Sequence, residues 1–384
     1  LEFSKFFWSA IAVLIVFAGA FVLWLRSVAP ADLVDVRDIE MAPAGGHAFV
    51  TGIAAHRADF HSTFIVDAKS GAYTRIATPP WSGVRWSRDG RVAAWMQPLG
   101  IRTPMCELHI QRVGEKKSVA TGIQSRMWGR FILTDDGTRV AVATDGNVAI
   151  HDLVNHRVLA SAGGFTDFRP ELFFLNNDVL RIIDAVDVSR KNVGTLRVSD
   201  LDVRTRRMTT YGRRTLTLQT YFLSASDDGM RMFIRTAGEI VDGRTLATIA
   251  KIVPTAHWGS TMLSDGAVAI IDNAHGTKLR MFDRDGQPRG EVALPNADNA
   301  YVSGETTNGK LIVVSMQEQR HSMIVIDRAR LAVERVVPNM KGPMPQWFVD
   351  PRAAKYDANT PFLGVDDAGK LKGWSVATGA VATR

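Results

Sequence analysis

The chain has 384 residues, 46% of them hydrophobic and 22% charged, and a net charge of +7. That balance belongs to a folded globular chain and excludes intrinsic disorder. A single cysteine, Cys106, excludes an intrachain disulfide and a thiolate metal cage, and in its apolar run it reads as a small buried hydrophobe.

The first element runs from Phe6 to Leu25 as FFWSAIAVLIVFAGAFVLWL, without a charge. As a helix it would be about 30 Å long, the thickness of a bilayer's hydrocarbon core. Trp8 and Trp24 stand near its two ends, where indole rings favour the membrane interface, and Lys5 and Arg26 bracket it. Ala18-Gly19-Ala20 offers a patch on which a second helix could approach closely. A cleaved signal peptide would be shorter and would end in an Ala-x-Ala-like site, which Val28-Ala29-Pro30-Ala31 imitates poorly. No nearby cysteine could carry a lipid. We expect a retained transmembrane anchor over residues 1–26, a linker over 27–38 and a folded domain over 39–384. Lys5 against Arg26 and Arg37 leans against export, but long domains translocate largely regardless of such charges. The domain is expected on the periplasmic side of a bacterial inner membrane.

Beyond the linker, short β-branched and apolar strands follow one another with almost no helical periodicity. Ser87-Arg88-Asp89-Gly90, Thr134-Asp135-Asp136-Gly137, Ser226-Asp227-Asp228-Gly229, Ser264-Asp265-Gly266 and Thr307-Asn308-Gly309 each separate two apolar runs. Asp-Gly and Asn-Gly reach positive φ cheaply and suit tight links between antiparallel strands. Most copies lie roughly 40 residues apart, the size of a four-stranded propeller blade. A second hairpin recurs in fixed order after the first, as in Ile65-Val66-Asp67-Ala68-Lys69-Ser70-Gly71, Ile150 to His156 and Val325 to Arg330. There an Asp ends the strand and can bond the turn's own backbone.

Eight units are read, over 36–78, 84–121, 127–162, 168–212, 220–252, 259–294, 300–337 and 346–383; in the fourth, Asn176-Asn177-Asp178 replaces the Asp-Gly turn. The predicted fold is all-β, a β-propeller with eight blades favoured and seven allowed, preceded by a single transmembrane helix. Val34 to Ile39 either starts the first unit or closes the ring with the last.

The pattern resembles the WD40-like propeller repeats of the TolB type, whose blades carry a Ser-Pro-Asp-Gly turn followed by an apolar strand. Ser87 to Trp95 is the nearest match and Ser226 to Phe233 the second, both without the proline. The Gly-His and Trp-Asp pairs of WD40 blades proper are absent. The resemblance implies a fold and no chemistry.

Enzyme signatures are correspondingly missing. The docking tryptophan and adjacent cysteine pair of eight-bladed quinoproteins are absent, and Ser87-Arg88-Asp89-Gly90 places its glycine one position early for a sialidase box. The closest histidine pairs, His56/His61 and His151/His156, straddle turns and are read as surface residues. No Gly-x-Ser-x-Gly elbow and no phosphate-cradling loop occurs. No catalytic residue, metal site or cofactor is predicted. An enzyme would require a buried, perturbed carboxylate or histidine cluster in the funnel.

Trp86, Trp95, Trp128, Trp258, Trp347 and Trp374 are expected between blades, while Trp81, beside Pro79-Pro80, is expected in a contact loop. Arg204, Arg206, Arg207, Arg213 and Arg214 form a basic cluster suited to anionic lipid or an acidic protein surface. Nucleic acid is not an expected partner, because no aromatic-interleaved basic stripe occurs. With Phe6, Trp8, Gly19, Trp24 and Leu25 in the anchor, the expected partners are the bilayer and other subunits of a membrane complex, of respiratory or photosynthetic type. A free-standing extracytoplasmic module for a peptide, glycan or envelope component is the alternative, and a propeller enzyme the third reading.

Overall fold

The computed structural model describes residues 33–383 except 45, 55–61, 77–82, 101–102, 116, 127–129, 166–169, 188–192, 218–222, 254–258, 274–275, 296, 318–319, 341–349, 367–368 and 379. The fold is an all-β propeller. Seven blades each contain four consecutive antiparallel strands, over residues 33–75, 85–126, 130–163, 171–217, 223–251, 261–293 and 299–340. An eighth sheet, with strands Phe362–Val365, Leu371–Trp374 and Val381–Thr383, packs between blade 7 and blade 1. The segment in the place of its inner strand, Lys355–Tyr356, instead pairs parallel with blade 7 at Glu305 and Thr306. Eight complete units therefore become seven full blades and one partial sheet. Leu33–Met41 is the inner strand of blade 1, paired with His47–Ala54, so the ring is not closed by sharing that strand with the last unit.

The recurring turn is a side-chain device. Ser87 Oγ donates to Asp89 Oδ1 at 2.6 Å and accepts from Val92 N at 2.9 Å. Thr134 and Asp136, Ser226 and Asp228, and Thr306 and Asn308 repeat the arrangement at 2.6–2.7 Å. The hydroxyl thus sits three residues before the glycine, and in the fifth copy it is Thr306 rather than Thr307 that serves. In the second hairpin an Asp accepts from the two N–H groups that follow, as Asp67 does from Lys69 and Ser70 and Asp327 from Ala329 and Arg330. Four residues after that Asp the chain turns left-handed, at Gly71, His156, Arg206, Leu246 and Leu331. Only the first of these is the glycine that such a φ favours.

Second strands are buried on both faces and read as unbroken apolar runs, Val92–Pro98 and Arg139–Thr144 among them. Outer strands such as Pro288–Ala293 are nearly all exposed. Apolar clusters bridge neighbouring blades around the whole ring, and the one containing Tyr301, Val325, Phe362, Trp374 and Val50 joins blade 7, the eighth sheet and blade 1. Trp95, fully buried, meets Phe49 of blade 1 edge-on at 5.7 Å, a contact worth about 1 kcal/mol beyond its buried area. Trp86 and Trp374 are also buried between sheets, as is Cys106. Trp81, Trp128, Trp258 and Trp347 lie outside the described residues, as do His56 and His61. Blade 4 is riveted to blade 5 by buried Arg181, which grips Asp200 bidentately at 2.8 and 2.9 Å and donates to the carbonyls of Gly229 and Gly243.

Candidate functional site

Inner strands of the seven blades surround a central channel, and the hydroxyl–Asp turns end those strands on one face. The segment 350–357 crosses the ring at that face as a strap. Ala225 of blade 5 donates its N–H to Pro351 O at 2.8 Å, Glu305 and Thr307 of blade 7 donate to Ala354 O and Tyr356 O, and Asp357 donates to Ala44 O of blade 1. Arg352 carries the charge of the strap. Its guanidinium is clamped by Asp350 at 2.6 Å and reaches Asp135 of blade 3 at 2.8 Å. Burial works against that charge, but the two carboxylates hold its pKa above the ordinary arginine value. Arg88 of blade 2 spans to Asp227 of blade 5 at 2.6 Å and to Ala353 O at 3.3 Å. One side chain thus links blades 2 and 5 across the axis and ties the strap to both.

Above the strap the channel wall carries a second set of charges. Arg85 lies within electrostatic reach of Arg130, Glu171, Asp350 and Glu40, which come from blades 3, 4, the strap and blade 1. Burial, then the Arg130 charge, pull its pKa down to about 10. Arg130 and Glu171 form an ion pair, and Arg235, also brought down to about 10 by burial, feels Glu171. Glu40 is pushed up to about 8, by burial first and then by Asp38, against the Val84 N–H bond and the Arg85 charge. Burial raises Asp38 as well, and its Oδ1 has no hydrogen-bond partner among the described residues. A carboxyl that is protonated at neutral pH can donate a hydrogen bond or move a proton. Asp38 and Glu40 thus form a pair of perturbed carboxyls beside Arg85.

Sequence reasoning missed every one of these residues. A usable signal existed at Glu171, the lone charge of the mainly apolar strand Glu171–Asn176, and at Arg85, beside Trp86 just ahead of the Ser87 turn, whereas Glu40 shares its strand with Asp35, Arg37 and Asp38. Single charges there are costly unless they face the axis.

The basic cluster named from the sequence lies on the outer edge of blade 4 and is divided. Arg204 pairs with Asp178 at 2.6 Å and Arg214 with Glu239 at 2.5 Å. Arg206, Arg207 and Arg213 are exposed. His151 and His156 come together in a lateral cleft of about 390 Å3 between blades 2 and 3, with Thr121, Ile123 and Val142. Burial lowers the His151 pKa. Among the described residues no group of three His, Cys, Asp or Glu is placed to hold a metal. Nor is any described helix long and apolar enough to cross a membrane. Phe6, Trp8, Gly19, Trp24 and Leu25 lie outside the described residues.

Fold and turns together define a β-propeller, seven of its blades complete. No family model and no curated protein sequence matches the chain. Similar solved structures include a eukaryotic initiation factor, at 11% identity and TM-score 0.56, covering 90% of this chain and 86% of that one. Porphyromonas gingivalis dipeptidyl peptidase 4 follows at 12% identity and TM-score 0.57, covering 92% of this chain and 59% of the peptidase. The β-propeller domain of Cps50 (Swd1) from Myceliophteria thermophila has 13% identity and TM-score 0.45, covering 78% and 98%. At such identities the likeness is one of fold.

Proposed function

We propose that the chain is a non-catalytic, membrane-anchored propeller serving as an accessory or scaffolding subunit of a larger bacterial membrane complex, respiratory or photosynthetic in type, with its ring on the periplasmic side. The observation that carries this reading is the strap. By tying blades 1, 2, 3, 5 and 7 through hydrogen bonds and the Arg352 and Arg88 ion pairs, it makes a rigid body whose rims are the surfaces left for partners. The uncharged run from Phe6 to Leu25 would supply the anchor. Exposed Arg206, Arg207 and Arg213 would meet anionic headgroups or an acidic subunit. Purification from native membranes in mild detergent tests this: stable companion subunits are expected, and a lone monomer overturns the reading. Protease protection in sealed vesicles should shield the ring from the cytoplasmic side.

The channel favours a second reading, a free-standing binding module that takes a small ligand at the ring centre. Its support is the meeting of Arg85 and Glu40 above the strap.

A further inference from the structure

We propose that the central channel binds a small oxyanion, a carboxylate or phosphate group, on the guanidinium of Arg85. This deepens the second reading above and rests on it. Arg85 belongs to the inner strand Arg85–Trp86, and its guanidinium lies over the ring of Phe131 at 5.2 Å. Stacking occupies the flat face of the cation and leaves its in-plane N–H donors directed elsewhere. Among the described residues those donors make no hydrogen bond and no ion pair.

The neighbouring acids are committed to other cations. Glu171 is paired with Arg130, Asp350 and Asp135 with Arg352, and Asp227 with Arg88. Glu40 accepts from Val84 N at 3.1 Å, and burial keeps it protonated at neutral pH. Arg85 is therefore a half-buried cation that feels Glu171, Asp350 and Glu40 at a distance, is hydrogen-bonded to none of them among the described residues, and faces the like charge of Arg130. An anion entering beside it would take up those in-plane donors and offset the Arg130 repulsion. Two parallel N–H bonds from the guanidinium fork fit the edge of a carboxylate or phosphate.

Isothermal titration of the full chain at constant ionic strength, with succinate, inorganic phosphate and neutral N-acetylglucosamine as separate probes, tests the assignment. Saturable binding of succinate or phosphate is expected, the stronger of the two identifying the source of the oxyanion. Arg85→Lys should weaken binding roughly tenfold or more by losing the fork, Arg85→Gln should abolish it, and exposed Arg91→Gln should leave it unchanged. Should Arg85→Gln fail to fold, Arg85→Lys decides. Anion binding that is unchanged in Arg85→Lys overturns the proposal. Binding of the neutral probe alone overturns it while sparing the channel as a ligand site, and no binding of any probe removes both.

Discussion

Glu40 pits burial against charge, and its pKa gives the conflict a pH signature. Its folded value of about 8 lies above the ordinary 4.5, so the folded state holds the proton more tightly than the unfolded chain. The stability this contributes is present below pH 4.5 and is lost as pH rises through 8. Glu40→Gln cannot titrate and escapes that loss. The variant should match the parent near pH 5 and exceed it near pH 8 by about 3 kcal/mol, a value discounted for water reaching the channel; equal denaturation midpoints at both pH values would refute this. Arg206 presents a different strain, a φ of 55° on an exposed residue. Arg206→Gly should raise stability by about 0.5–1 kcal/mol, the steric relief outweighing the added freedom of the unfolded chain. A urea midpoint that fails to rise would show the turn to be unstrained. Neither residue announces itself in the sequence. Arg206 looks like one of five equivalent arginines until Asp178 and Glu239 claim Arg204 and Arg214.

Within the elements, the informative contacts are those that cross from blade to blade. Arg181 lies between Leu180 and Ile182 on the second strand of blade 4, and its partners are Asp200 and two carbonyls of blade 5. Arg181→Leu strands the Asp200 carboxylate and should cost about 3–5 kcal/mol by chemical denaturation; a loss under 1 kcal/mol would mean the pair is no rivet. The strap offers a local readout instead. Arg352→Gln should speed hydrogen exchange at the Ala225 amide, which bonds Pro351 O, and leave the amides of distant Val142 protected. Uniform acceleration would indicate global destabilisation rather than release of the strap. Strands were readable because their periodicity and turn chemistry are local. The strap was not, since nothing local distinguishes Asp350–Asp357 from an ordinary connection.

Around the whole molecule, the repeated aspartate turns set the acid limit of the ring. Asp67, Asp136, Asp228 and Asp242 are held below the ordinary 3.8 although burial opposes their charge, because turn donors outweigh it. In Asp152, Asp202, Asp283 and Asp327 hydrogen bonds are the largest influence, with Lys310 bringing Asp327 down to about 2. Depressed folded values mean that their contribution is complete above the unfolded value and vanishes as pH falls through the folded ones. Thermal midpoints should therefore drop steeply between about pH 4 and pH 2, and a midpoint constant over that range would count against the turns as stabilising elements. Since six of the seven full blades carry such turns, the loss should be cooperative around the ring.

Two recurring hairpins, alternating in order at one-blade spacing, were enough for the sequence alone to determine the propeller class, because a turn's hydrogen bonds form among residues close in the chain. Closure of the ring was decided only in three dimensions, where Lys355–Tyr356 left its own sheet to pair with blade 7. The charged channel likewise arises only when strands far apart in sequence share one axis. Electrostatic partners such as Arg88 and Asp227, 139 residues apart, become neighbours through the circular path of the backbone, and no local pattern records that distance.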